Sequence, residues 1–183
     1  TTNADTILPT SFSRCGTLNS KVVPDENIKK FLMEKYQIPD YQADVCVAFA
    51  QGNVGKAIQL ASSDDFNEMK ASALQLIKRL DDIDLYEMTA AVKQIADYKL
   101  EINDYFDLMM IWYRDVLYFK ATGDVNGLIF KDEVYDIKRQ AEKSSYNGIN
   151  SIIEPLSKAQ IRLDPNVNFD LVIELLLLTI KEN

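Results

Sequence analysis

The sequence predicts an all-helical protein, and three observations carry the prediction. Apolar residues recur at three- and four-residue intervals over long stretches, the breaks between those stretches are short and rich in capping residues, and glycine and proline are scarce. Only six glycines and five prolines occur among 183 residues, 47% of which are apolar. A chain of that length and composition can bury a core and is not of the disordered type.

The elements follow in order. Asp5-Thr6-Ile7-Leu8-Pro9 offers a turn and a short helix start, with proline early where its missing N–H costs little. Gly16 to Val23 reads as a brief extended piece that stops at Pro24. Three short helices then fill 24–63. In the first, Asp25 and Glu26 favour the positive end of the helix dipole and Ile28, Phe31, Leu32 and Tyr36 recur at helical spacing. Ile38-Pro39-Asp40 breaks it, Tyr41 to Gln51 forms the second with Val45, Ala48 and Phe49 on one side, and Gly52-Asn53 opens a third from Val54 to about Ser62. Ser62-Ser63-Asp64-Asp65 is a capping cluster and the expected boundary between a 24–63 unit and a 64–183 unit. Beyond it, amphipathic helices are expected at 64–80, 84–98, 101–122, 131–143, 145–162 and 166–182, separated by Asp81-Asp82, Thr122-Gly123-Asp124 and Asp164-Pro165-Asn166. That pattern predicts a helical bundle.

Charge and side-chain inventory remove several function classes. The chain has no histidine, which excludes histidine acid–base catalysis and takes away the commonest ligand of zinc and iron. Cys15 and Cys46 stand 31 positions apart, without metal-knuckle or disulfide spacing, as suits a reducing cytosol. No nucleophile–base pair stands out, which argues against an independent hydrolase. The net charge is −8; residues 1–62 carry six basic and six acidic side chains, so the whole excess belongs to 63–183. So acidic a surface repels phosphate backbones and makes direct DNA binding a poor expectation. The first residues lack the basic-then-apolar order of a signal peptide. Phe169 to Ile180 is very apolar but short, and contains Asp170 and Glu174. A bilayer needs roughly 20 apolar residues, so this stretch reads as a buried helix. Its four consecutive leucines, Leu175 to Leu178, cover all sides of a helix, which therefore sits at the bundle centre, meets another protein chain, or does both.

Two segments carry a resemblance. The first is Thr1-Thr2-Asn3 followed by Ile7-Leu8-Pro9-Thr10-Ser11-Phe12-Ser13-Arg14-Cys15. It resembles the segment of AAA+ clamp-loader subunits in which a serine-arginine-cysteine triplet carries the arginine finger. The resemblance implies that 1–23 is the end of an AAA+ nucleotide-binding domain. It also implies that Arg14, flanked by Ser13 and Cys15, reaches in trans to ATP held by a neighbouring subunit. A planar guanidinium suits that task, because it can donate two hydrogen bonds to oxygens gathering charge during phosphoryl transfer. Thr1 and Thr2 fall where the first sensor lies in an active relative, and no role is assigned to them.

The second segment is Gly52-Asn53-Val54-Gly55-Lys56-Ala57. It is not a phosphate loop, because its glycines are too close and alanine, not a hydroxyl residue, follows the lysine. It resembles instead the AAA+ lid motif G-x-x-R-x-A, with Gly52 and Ala57 matching and Gly55 standing where the second-sensor arginine belongs. Lys56 is one position off, about 100° around the helix. Further on, Trp112-Tyr113-Arg114-Asp115-Val116-Leu117 resembles a W-x-R-D-x-L stretch of the clamp-loader collar, and Asn166 to Leu178 its final helix. On the residues alone, Tyr105, Met109, Tyr113 and Val116 form a core face, while Arg114 and Asp115 are an ion pair and not a catalytic couple.

Together these segments imply a remnant of the ATPase domain at 1–23, a three-helix lid at 24–63 and a helical collar at 64–183. Keeping the finger while losing the sensor arginine is the combination of the delta-prime class of bacterial DNA polymerase III clamp loaders. That class implies a cytoplasmic bacterial subunit with no activity of its own, and no bound cofactor or metal in this chain. It would contact gamma, tau and delta subunits through the collar, and the sliding clamp and primed DNA through the complex. A gamma- or tau-type active ATPase and a helical scaffold unrelated to replication stay open as alternatives.

Overall fold

The computed structural model describes residues 21–162 and 168–183, and every regular element among them is helical. Nine α-helices run α1 (Asp25–Tyr36), α2 (Asp40–Ala50), α3 (Val54–Ala61), α4 (Asp64–Arg79), α5 (Leu85–Ala96), α6 (Ile102–Thr122), α7 (Val134–Lys143), α8 (Tyr146–Arg162) and α9 (Phe169–Lys181). Short 3₁₀ turns at Lys99–Glu101 and Lys131–Glu133 lead into α6 and α7. The expected extended piece reaches the described residues only at 21–23, which are irregular. None of the nine is long and apolar enough to cross a membrane.

Side-chain caps set four of the helix starts among the described residues. Asn53 Oδ1 accepts the Lys56 N–H at 3.0 Å, Ser63 Oγ accepts the Phe66 N–H at 3.1 Å, and Asn168 Oδ1 accepts the Leu171 N–H at 3.3 Å. Each satisfies one of the amide groups a helix start leaves open. Asp84 and Glu87 form a reciprocal capping box on α5. Five expected starts move inward: α5, α6 and α8 by one position, to Leu85, Ile102 and Tyr146, and α7 and α9 by three, to Val134 after the 3₁₀ turn and to Phe169 behind its cap. Pro155 lies inside α8, where it removes one N–H from the hydrogen-bond ladder.

In α1 the expected stripe divides. Ile28 and Leu32 are fully buried, whereas Phe31 and Tyr36 stand at the surface and pack edge-on against each other at 5.8 Å. In α2, burial extends well beyond one side: Ala43, Val45, Cys46, Val47, Phe49 and Ala50 are all inside. Burial pushes the Cys46 thiol pKa up, away from reactive thiolate behaviour.

Helices α1, α2 and α3 pack on one another. In the remainder, α6 is the hub, packing on α4, α7 and α8, while α9 lies against α5 and α8. Tyr105, Phe106, Leu108, Met109, Trp112, Tyr113 and Val116 on α6 have no solvent contact, so the expected core face is found. Fully burying an aliphatic or aromatic side chain of this kind contributes about 1.5–3 kcal/mol, which makes α6 the main source of apolar stabilisation in the bundle. Trp112 Nε1–H donates to Gln140 Oε1 on α7. The Tyr105 and Tyr113 hydroxyls are buried without a hydrogen bond of good geometry, although Ser72 and Gln140 adjoin them. Burial pushes the Tyr105 phenol up to about 12 and that of Tyr113 further in the same direction.

The glycine between α2 and α3 is imposed by its surroundings. Gly52 has φ +81°, and a Cβ there would stand 1.8 Å from Val22 Cγ1 and 3.3 Å from the Val23 carbonyl oxygen. The Val23 N–H donates to the Gly52 carbonyl at 3.3 Å, so the turn between α2 and α3 forms a seat for residues 22–23. Gly52→Ala therefore meets both left-handed backbone strain and a steric clash, and should cost about 1 kcal/mol or more in a urea unfolding series. An unchanged midpoint would show that the seat is not formed.

Candidate functional site

Arg14, Ser13 and Cys15, the residues expected to serve a neighbour's nucleotide, lie outside the described residues. The lid-motif segment lies inside them. Gln51 (φ 47°) and Gly52 take left-handed conformations that end α2, Asn53 caps α3, and Ala57 is buried in the first turns of α3. Gly55 and Lys56 are exposed at the start of that helix. A Cβ at Gly55 would meet only Asn53 Oδ1, at 3.4 Å, and the residue has no left-handed backbone. The fold would thus accept a side chain there; the glycine answers no local steric demand.

Arg114 and Asp115 form the expected ion pair, with Nη1 to Oδ1 2.8 Å. The pair also has a partner that the sequence did not announce. Asp115 Oδ2 accepts the backbone N–H groups of Ile129 and Phe130, each at 2.8 Å. The 123–130 loop thereby folds back along α6, bringing the Phe130 ring to 6.2 Å from Trp112. Arg114 also reaches the Gly127 carbonyl at 3.5 Å and lies over the Tyr118 ring, whose hydroxyl donates to Asp124. Gly127 lets the loop press on Tyr118, since a Cβ there would stand 2.3 Å from the phenolic oxygen. Asp115 is 0% exposed. Burial raises its pKa, opposed by the hydrogen bonds from Phe130 and Ile129 and by the Arg114 charge. A carboxylate sealed in this way reaches no substrate and holds a loop. The one sequence signal was an acid two turns after Leu108, on the inward side of α6.

The third location is the C-terminal helix. On α9, Ile173, Leu176, Leu177 and Ile180 are buried, but Leu171 and Leu175, one turn apart, are 52% and 56% exposed. Leu175, Leu176, Val172 and Thr179 face Pro155, Lys158 and Ala159 of α8 across an apolar groove. The leucine run therefore fills the bundle and also presents an outward stripe. No cluster of three or more metal-ligating side chains occurs among the described residues.

The arrangement at Asp115 generates a paired test. Asp115→Ala leaves two amide donors buried without an acceptor and should cost about 3 kcal/mol or more. Asp115→Asn keeps an acceptor oxygen and should cost less. Because the folded-state pKa is raised, the native protein holds a proton that the unfolded chain releases at lower pH. The contribution of this group is complete below the ordinary carboxylate range and is lost as pH rises through the raised value. Urea midpoints measured across that range should fall with pH in the parent relative to Asp115→Asn; parallel curves would contradict the assignment.

Two comparisons place the chain. The family model described as DNA polymerase III, delta subunit, C terminal, matches residues 63–182, a span that takes in α4 to α9. The DNA polymerase III subunit delta' of Bacillus subtilis (strain 168) is 27% identical over 179 residues, covering 96% of this chain and 54% of that protein. The chain thus spans about half the length of the curated relative it matches. No solved structure matches it. The buried α6 face, the capped loop behind it and the matched span coincide, and the chain belongs to the family of C-terminal domains of the DNA polymerase III delta subunit.

Proposed function

We propose that this chain is the lid-and-collar part of a delta-prime-type subunit, a non-catalytic member of the assembly that loads the sliding clamp onto primed DNA. The observation that carries the reading is the outward Leu171–Leu175 stripe on a helix whose other face, Ile173, Leu176, Leu177 and Ile180, is buried, within the span of the family match. A solvent-facing leucine pair beside an apolar groove is a natural seat for a helix of a neighbouring protein. Residues 24–63 would form the lid and 64–183 the collar, and the collar would hold gamma, tau and delta subunits. Clamp and DNA would be engaged through the complex, since the excess of negative charge beyond residue 62 disfavours phosphate contact by this chain itself.

In this reading the protein works on a nucleotide that it does not hold. Arg14 would enter the ATP site of the adjacent subunit and stabilise charge on the transferring phosphoryl group. Glycine at position 55 supports the non-catalytic half of the proposal, because the segment has room for a sensor arginine and lacks one. A bacterial cytoplasmic setting follows from the same assignment.

Two variants separate the two halves of the proposal. Leu171→Asp with Leu175→Asp should keep the helical circular dichroism of the parent while abolishing co-elution with the other polymerase III subunits. Full retention of the complex would refute the collar surface. Arg14→Ala should assemble normally and lower ATP hydrolysis at the single interface it serves, on the order of a thousand-fold for that site. Unchanged hydrolysis and clamp loading would refute the finger.

A further inference from the structure

The three N-terminal helices are joined to the bundle by a tie that spans the chain. Near the connection itself, Phe49 packs edge-on against Phe66 at 5.1 Å and Gln42 Nε2 donates to Asn67 Oδ1 at 3.3 Å. On the bundle side both contacts fall in the first turn of α4, close to where α3 passes into α4. Lys131 supplies a distant second point: its Nζ lies 2.7 Å from Asp44 Oδ2 and 3.8 Å from Asp40 Oδ2, 87 positions away from Asp44 in sequence.

The base of that arm is fixed. Ile129 and Phe130, immediately before Lys131, give their N–H groups to the buried Asp115 carboxylate. Two residues later, Glu133 pairs with Lys78 on α4 and donates its own N–H to the Phe130 carbonyl at 3.1 Å. At the receiving end, Lys29 lies 2.7 Å from both Asp40 and Asp44. The Lys29 hydrogen bond holds the Asp40 carboxyl below its ordinary range, so this acceptor stays charged near neutrality. Two ammonium groups and two carboxylates alternate in one cluster, joining α1 and α2 to the loop that Asp115 holds on α6.

We propose that Lys131 is a reversible charge latch that fixes the angle of the three N-terminal helices on the bundle. Partly exposed ion pairs of this kind are individually weak, which suits a contact that opens and closes without unfolding either side. Opening it would free α1–α3 to turn about Ser62–Ser63 while the bundle keeps its shape.

Double electron–electron resonance on the full 183-residue chain tests this, with spin labels on cysteines replacing the exposed Glu34 of α1 and Glu142 of α7 in a Cys15→Ser background. The parent should give one narrow distance peak. Lys131→Glu, which sets like charges against Asp40 and Asp44, should broaden and displace that peak with helical content unchanged. Lys131→Arg should keep it, and Lys131→Gln, which removes the charge without adding repulsion, should broaden it less than Lys131→Glu does. A Lys131→Glu distribution that superimposes on the parent overturns the latch. Loss of helical content in that variant, or a Lys131→Gln distribution as narrow as the parent's, overturns it equally.

Discussion

A single carboxylate without solvent contact determines how the centre of this molecule is put together. Asp115 lies on the inward side of α6 and binds three donors: the Arg114 guanidinium and the amides of Ile129 and Phe130. Leaving a buried charge unpaired costs several kcal/mol, so the loop has one acceptable path, back along α6. That path seats Phe130 against Trp112, sets the 3₁₀ turn from which α7 departs, and carries Lys131 towards α2. The apolar face of α6 supplies the largest fully buried side chains, Trp112, Tyr105 and Tyr113, but it is the carboxylate that selects the direction the chain takes after Thr122.

How much of this was legible in the sequence depended on the range of the interaction. Several helices were readable because nearby residues fix them: the Asn53, Ser63 and Asp84 caps act within three positions, and the α6 core face repeats every turn. The spacing of Ile28, Phe31, Leu32 and Tyr36 gave the helix but not its buried side. Helical spacing reports a shared face but not what covers it, and α2 and α3 cover only Ile28 and Leu32. Long-range polar contacts left almost no local trace. Nothing around Asp115 names Ile129, and nothing around Lys131 names Asp44.

The candidate site divides along the same line. The leucine run showed that α9 must be covered nearly all round, and the structure separates this into an inner face of Ile173, Leu176, Leu177 and Ile180 and an outer pair, Leu171 and Leu175. Gly55 was readable as a departure from a family motif; its exposed place at the start of α3, with room for a side chain, emerges only from the fold. The chain therefore combines a rigid interior organised by α6 with surfaces that are incomplete by themselves. The outward pair on which the proposed collar surface rests lies within the span matched by the DNA polymerase III delta family.

Amide hydrogen exchange at Ile129 and Phe130 measures the organising contact directly. Both amides belong to an irregular segment, yet if Asp115 holds them they should exchange as slowly as the amides in the middle of α6, opening only with the bundle. Exchange at the rate of a solvated loop, while α6 stays protected, would contradict the carboxylate's assigned role.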